Sequence, residues 1–233
     1  MPRGMPEVIA TKQKFYRVAN FPNVIGLIDG SHIPIAAPSL NEDIYVNRKN
    51  FHSLNIQAVC DANQIFLDFC NRYPGSTHDS FVWHNCRLYR RFQAGEFGGA
   101  HLLGDSGYPL EENLMTPIMQ PGNRNQVNYN NSHKRTRVIV EQTFGLWKSR
   151  FRCLHKSGGN LCYTPQKCGK IVSATMLLHN YSVRRRIPLI GEDHGDEDPN
   201  NEDDPDDPDP QHEGIRNVPA ARAKRQRIVQ DYF

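Results

Sequence analysis

The chain has 233 residues, a length that suits one domain plus a tail, since domains cluster near roughly 100–200 residues. Its formal net charge of +3 hides an asymmetry: residues 1–190 carry 23 Lys and Arg against 12 Asp and Glu, a balance of +11, whereas 191–213 carry twelve Asp and Glu and no Lys or Arg. A basic body favours a polyanionic partner such as nucleic acid. The absence of a basic-then-apolar N-terminal signal and of any apolar run of membrane-spanning length predicts a soluble, intracellular chain with no membrane partner.

Residues 1–20 are polar, with weak helical character around Lys12 to Val18. Phe21-Pro22 punctuates the chain. Val24 to Ile28 is a short run of aliphatic residues that reads as a buried strand closing at Asp29-Gly30, with Ile33 and Ile35 continuing extended structure beyond it. Ser53 to Cys60 and Gln64 to Cys70 are two more strand candidates, joined by a turn at Asp61-Ala62-Asn63, so the first three strands suggest an antiparallel meander. Pro74-Gly75-Ser76-Thr77 breaks the pattern. A helix is predicted from Asp79 to Phe92, ended by Gly95 to Gly99. Ala100 to Asp105 reads as a fourth strand, again finishing at an aspartate. Pro109 to Asn131 reads as a loop-rich insertion.

From His133 to Phe151 the pattern turns helical, with Val140, Phe144, Trp147 and Phe151 forming one apolar stripe. That stripe makes core packing the better reading of Trp147, Phe151 and Trp83 than base stacking. A further helix spans Pro165 to Arg184 and packs through Ile171, Thr175 and Leu178. Residues 191–213 cannot bury a core and are expected to be disordered. The disorder is expected to run on to residue 233, through a basic stretch at 222–227. A polyanion tethered to a basic body is also placed to compete with DNA for the same surface. Arg184-Arg185-Arg186 and Lys224-Arg225-Gln226-Arg227 read either as nuclear-import signals or as solvated charge. The six cysteines form no CxxC pair, so reduced thiols are expected rather than a zinc site.

Two of the predicted strands finish at aspartates, Asp29 and Asp105, and carboxylates beside strand termini often sit at the functional rim of an α/β sheet. Glu141 follows 36 residues after Asp105 on a helix, with Arg137 and Lys148 on the same face. Taken alone, Glu141 reads as a surface ion pair with Arg137. As a set, the acids have the hard oxygen chemistry that Mg²⁺ and Mn²⁺ prefer. Phosphodiester hydrolysis of the two-metal kind needs three or four such ligands converging on ions about 3.5–4 Å apart.

Four ordered segments make the pattern specific: Asp29-Gly30-Ser31-His32-Ile33, Pro74 to Ser80 (PGSTHDS), Gly104-Asp105-Ser106-Gly107-Tyr108 and Glu141 to Phe151 (EQTFGLWKSRF). They resemble the motif blocks of the PIF/Harbinger transposase superfamily, and within it the Harbinger transposase-derived nucleases of animals. Arg152-Cys153-Leu154 and Leu177-Leu178-His179-Asn180 match further blocks, so the resemblance covers about residues 20–185. It implies an α/β, ribonuclease-H-like mixed sheet flanked by helices. It also implies an Asp-Asp-Glu nuclease site in which Asp29, Asp105 and Glu141 are catalytic, and in which these three with Asp79 bind a divalent cation, Mg²⁺ or Mn²⁺. His32 and His78, beside the acids, are read as hydrogen-bonding neighbours. The implied substrate is DNA, and the implied partner is a Myb/SANT-like DNA-binding protein that directs such nucleases to the nucleus, with the cytoplasm as a second location.

The expected organisation is a short N-terminal remnant at 1–19, a nuclease domain at 20–190 and the tail at 191–233. Members of the family carry a helical segment of about a hundred residues before the first motif, whereas 28 residues precede Asp29 here. A catalytically silent remnant that binds DNA or a protein therefore stands as the alternative function. An acidic-tailed scaffold without a nucleic-acid role fits the tail but not the basic body.

Overall fold

The structure, a computed structural model, describes residues 1–189 and 218–233. The acidic segment 191–213, and the disorder and competition with DNA expected of it, lie outside the described residues. Helix α1 (Met5–Ala19) starts seven residues earlier than the local pattern suggests, and Asn20 ends it in the left-handed conformation. Its Val8 and Phe15 are fully buried, so packing against the sheet fixes a helix that propensity alone makes weak.

Strands β1 (Val24–Pro34), β2 (Ser53–Cys60) and β3 (Phe66–Pro74) form the expected antiparallel meander. β4 (His101–Leu103) adds to the other side of β1 in parallel, and β5 (Leu114–Met115) adds in parallel to β4. The result is a mixed sheet of order β3-β2-β1-β4-β5 flanked by helices, as the α/β reading requires. β2 is buried along its whole length, which explains why it reads as SLNIQAVC rather than as a clean alternation: both its faces are covered.

One face carries Leu27, Ile33, Leu54, Ile56 and Leu103 against α4 (Arg124–Arg150) and α5 (Pro165–Arg184). The other carries Ile25, Ile28, Val59 and Leu102 against α2 (Asp79–Asn85) and α3 (Arg87–Gln93). Val140, Phe144 and Trp147 are buried on α4 as expected, and Trp83 is buried on α2. All six cysteines are free thiols.

Several elements differ from their sequence reading. The helix expected over 79–92 is two helices. Cys86 between them is extended (φ −84°, ψ 159°), and its thiol accepts the Tyr89 N–H at 3.4 Å to start α3. The expected insertion contains β5 and the first turns of α4. α4 begins at Arg124 because the Asn123 side chain caps it by accepting the Gln126 N–H at 2.9 Å. On α5 the packed face is Cys168, Val172, Thr175, Met176 and His179, while Leu178 is 53 % exposed. The expected disorder does not reach the C-terminus: α6 (Val218–Tyr232) is helical, with Ala221, Ile228 and Val229 buried. Lys224 donates to the carbonyls of Gly99 and Glu112, and Arg225 to those of Thr116 and Pro117, so cations cap carbonyls flanking β4 and β5.

Candidate active site

The site is built where the parallel ladder runs out. β1 pairs with β4 only as far as Leu27–Leu103, yet it continues alongside β2 to Pro34. Asp29 is therefore inside a strand rather than at its end, two residues past the last parallel pairing. The chain leaving β4 turns at Gly104-Asp105 beside it. Side chains alternate along β1: Leu27, Asp29, Ser31 and Ile33 face α4, whereas Ile28, Gly30 and His32 face α2.

α4 brings Arg137 and Glu141, one turn apart, onto Asp29. One guanidinium nitrogen of Arg137, Nη1, lies 3.4 Å from Asp29 Oδ1 and 3.8 Å from Asp105 Oδ2, and the other, Nη2, lies 2.6 Å from Glu141 Oε1. The side chains of Asp29, Asp105 and Arg137 are 15–16 % exposed, so this is no surface pair. The three principal acids converge on a single cation from three elements. Lys148, further along α4, donates to the His32 carbonyl at 3.4 Å.

Asp79 stands on the opposite side of β1. It opens α2, and its Oδ1 accepts from Asn55 Nδ2 at 2.9 Å; the same amide also reaches the Thr77 carbonyl. Its carboxylate lies against the α-carbon of Gly30, where an added β-carbon would sit 2.7 and 2.9 Å from the two oxygens. Gly30→Ala is thus expected to destabilise the protein by roughly 1–3 kcal/mol, as overpacking does. Most of that loss should vanish in the Asp79→Ala background, where the obstructing carboxylate is gone. Urea midpoints of the four proteins in that cycle check this, and equal losses in both backgrounds would contradict the placement.

The crowding shows in the titration behaviour. Burial pushes Asp29 up to about 7, and the charges of Asp79 and Glu141 push the same way. Arg137 and the Gly30 N–H, bonded at 2.9 Å, oppose them. Tyr108 is held well above its usual value by burial, then by the charges of Asp79, Asp105 and Asp29, so it stays a neutral hydroxyl that donates toward Gln57. Among the described residues, no three of His, Cys, Asp or Glu are arranged as they stand to hold a metal ion. The donor set nonetheless fits one: it is all carboxylate, and its excess negative charge is relieved by added positive charge.

Of the lesser candidates, His32 Nδ1 is 3.0 Å from Ser53 Oγ, and His78 Nδ1 accepts from Arg48 at 2.7 Å. The block at 177–180 is structural. His179 donates to the Gln64 carbonyl, and Asn180 bonds both the N–H and the carbonyl of Phe66, clamping the β2–β3 turn. Arg137 is the residue at this cluster that the motif blocks do not mark; its four-residue spacing from Glu141 is visible in the sequence, but its reach to Asp29 and Asp105 is not.

Residues 28–180, a span that opens one residue before Asp29 and includes the other three acids, match the family described as DDE superfamily endonuclease. The chain belongs to that family. It is 40% identical over 188 residues to "Putative nuclease HARBI1" of Bos taurus, covering 81% of this chain and 54% of that protein. It is 34% identical to the Xenopus laevis protein of the same name over 191 residues (82% and 55%), and 29% identical to "Protein ALP1-like" of Arabidopsis thaliana (74% and 46%). The Harbinger resemblance is thereby shown, and the chain is a transposase-derived member of a nuclease family. It spans about half the length of the curated relatives it matches. No solved structure matches it. Membership of the DDE family brings with it, in general terms, the use of a divalent metal.

Proposed function

We propose that this chain is a metal-dependent endonuclease that hydrolyses DNA phosphodiesters, with Asp29, Asp105 and Glu141 as the catalytic acids. The observation that carries the reading is the convergence of these three carboxylates on Arg137 where β1 outruns β4. The strand order β3-β2-β1-β4-β5, antiparallel on one side of β1 and parallel on the other, supports a ribonuclease-H-like sheet. Asp29, Asp105 and Glu141 would hold Mg²⁺ or Mn²⁺, with Asp79 contributing from the other side of β1. A pair of such ions would supply charge to neutralise the phosphate and to lower the pKa of water. Asp29 is poised for that role because it ionises reluctantly without added positive charge. Arg137 keeps the acids together in the absence of metal and lies within reach of an incoming phosphate.

A Myb/SANT-like DNA-binding protein is the proposed partner, and the nucleus, with the cytoplasm, the proposed location. Of the two basic clusters, Arg184-Arg185-Arg186 is exposed at the end of α5, whereas Lys224 and Arg225 are engaged by the fold. An import role thus falls to the first.

The alternative, a silent remnant that binds DNA or a protein without cutting, draws on the guanidinium already seated among the acids. Plasmid nicking with Mg²⁺, Mn²⁺ or EDTA separates the two readings. Nicking that requires metal and is lost in Asp29→Ala supports the nuclease. Intact plasmid under every condition, with retained DNA binding, supports the remnant.

A further inference from the structure

Beyond the acids, the far end of β1 is ringed by cations from three separate segments. The turn before β2 carries Arg48 and Lys49, both exposed. It is fixed by Asn47, a buried side chain whose Oδ1 accepts the Lys49 and Phe51 N–H groups at 2.9 and 3.3 Å and whose Nδ2 donates to Ser53 Oγ at 3.0 Å. Arg48 donates to His78, the residue before Asp79, at 2.7 Å. α4 contributes Lys148, bonded to the His32 carbonyl. The segment after α4 contributes Lys156, which is exposed and sits 5.5 Å from the Phe51 ring centre; that ring packs edge-on to His32 at 6.4 Å. The same segment is tied to the end of β1, because the Leu161 N–H donates to the Pro34 carbonyl and the Ala36 N–H to the Leu161 carbonyl. The nearest acids in sequence, Glu42 and Asp43, precede the turn, and Glu42 is engaged by His52 at 2.9 Å.

We propose that Arg48, Lys49, Lys148 and Lys156 form a phosphate-binding rim that seats the backbone of duplex DNA along the end of β1 and leads it to the acids. The inference rests on the nuclease reading for its direction but not for its test. The turn is held from beneath by a buried side chain, so its cations are presented in place rather than left on a slack loop. Arg48 is bonded to His78, the residue next to Asp79, and Lys148 lies on the α4 face that carries Arg137 and Glu141, so a backbone held by the rim lies next to the carboxylates. Such contacts are blind to base sequence and fix register and orientation.

The test is binding of a short labelled duplex to the full chain in EDTA, followed by anisotropy as salt is raised. The rim variant is Arg48→Gln/Lys49→Gln/Lys156→Gln, which leaves Lys148 and the acids alone. The control is Arg124→Gln/Lys134→Gln/Arg135→Gln, three exposed cations on the first half of α4. Each phosphate contact contributes about 0.9 to the slope of log affinity against log salt. The rim variant is therefore expected to bind at least about tenfold more weakly at low salt, with a slope shallower by about 2 to 3, while the control stays within about twofold. Unchanged affinity and slope in the rim variant, equal weakening in both, or no binding by the parent chain would each overturn the rim. Because no metal is present, these outcomes are independent of cleavage: a chain that nicks plasmid while its rim variant binds normally refutes the rim alone.

Discussion

Asp29→Asn is expected to abolish nicking while raising the thermal midpoint of the metal-free protein near pH 8. The wild-type carboxyl titrates at about 7 in the folded chain, against an ordinary value of 3.8. Between those values the folded state holds a proton that the unfolded state has released, so stability falls as pH rises from about 4 to about 7. Above 7 the full penalty is present. At about 1.4 kcal/mol per unit, it amounts to a few kcal/mol. An amide carries no charge to desolvate, and its oxygen can still accept the Gly30 N–H, so the variant escapes the penalty. Its advantage should be largest at pH 8 and close to nil near pH 4, where wild-type Asp29 is itself neutral. Loss of a ligand that helps hold the cation removes several kcal/mol of transition-state stabilisation, a fall in rate of about a thousandfold or more. Melting curves at the two pH values check the first half and nicking rates the second. A variant less stable than wild type at pH 8 would show that Asp29 is held by Arg137 more firmly than it is strained by burial.

Arg137→Gln should have the opposite effect on stability. The guanidinium is the charge shared by Asp29, Asp105 and Glu141. Removing it leaves largely buried carboxylates without a counter-charge, a change that typically costs about 3–5 kcal/mol. Glu141, at 35 % exposed, relaxes toward solvent, so the lower part of that range is expected. A divalent cation should restore much of the loss, because a ligand bound only by the folded state stabilises it by mass action. The midpoint gain on adding Mn²⁺ should therefore be larger in Arg137→Gln than in wild type. A variant as stable as wild type in EDTA, or one that Mn²⁺ does not rescue, would place the cation elsewhere.

These expectations depend on geometry that the sequence shows only in part. Strands of aliphatic and β-branched residues announce themselves, so β1, β2 and β3 stand close to where they were expected, and Thr164-Pro165 marks the start of α5. β5 is two residues long and exists only because β4 offers a parallel edge, which no local pattern records. The first turns of α4, RNQVNYNNS, carry too few apolar residues for a helical stripe; only Asn123 as a cap gives them away. Cys86 has no feature that marks a helix break, and α6 was hidden by the composition of the segment before it.

At the site, the motif blocks single out four acids as candidates but not their sides of the strand. One-residue alternation along β1 sets Asp29 toward α4 and Gly30 toward Asp79, a distinction that depends on β1 continuing through Asp29 instead of ending there. The block at 177–180 matches the family pattern alongside the blocks that carry the acids. His179 and Asn180 prove to clamp a turn, because Gln64 and Phe66 lie too far away in sequence for that pairing to be read.

The claim that the acids ligate metal is tested most directly by exchanging one oxygen ligand for sulfur. Asp105→Cys replaces a hard donor with a soft one, which binds Mg²⁺ poorly but is accepted better by Mn²⁺, which tolerates sulfur more than Mg²⁺ does, and far better by the thiophilic Cd²⁺. The measurement is the plasmid-nicking rate of this variant in each metal, relative to wild type. The predicted result is loss of nearly all nicking in Mg²⁺, with recovery of at least about tenfold in Mn²⁺ or Cd²⁺. A variant that nicks as fast as wild type in Mg²⁺ would show that Asp105 holds no metal and would contradict the assignment.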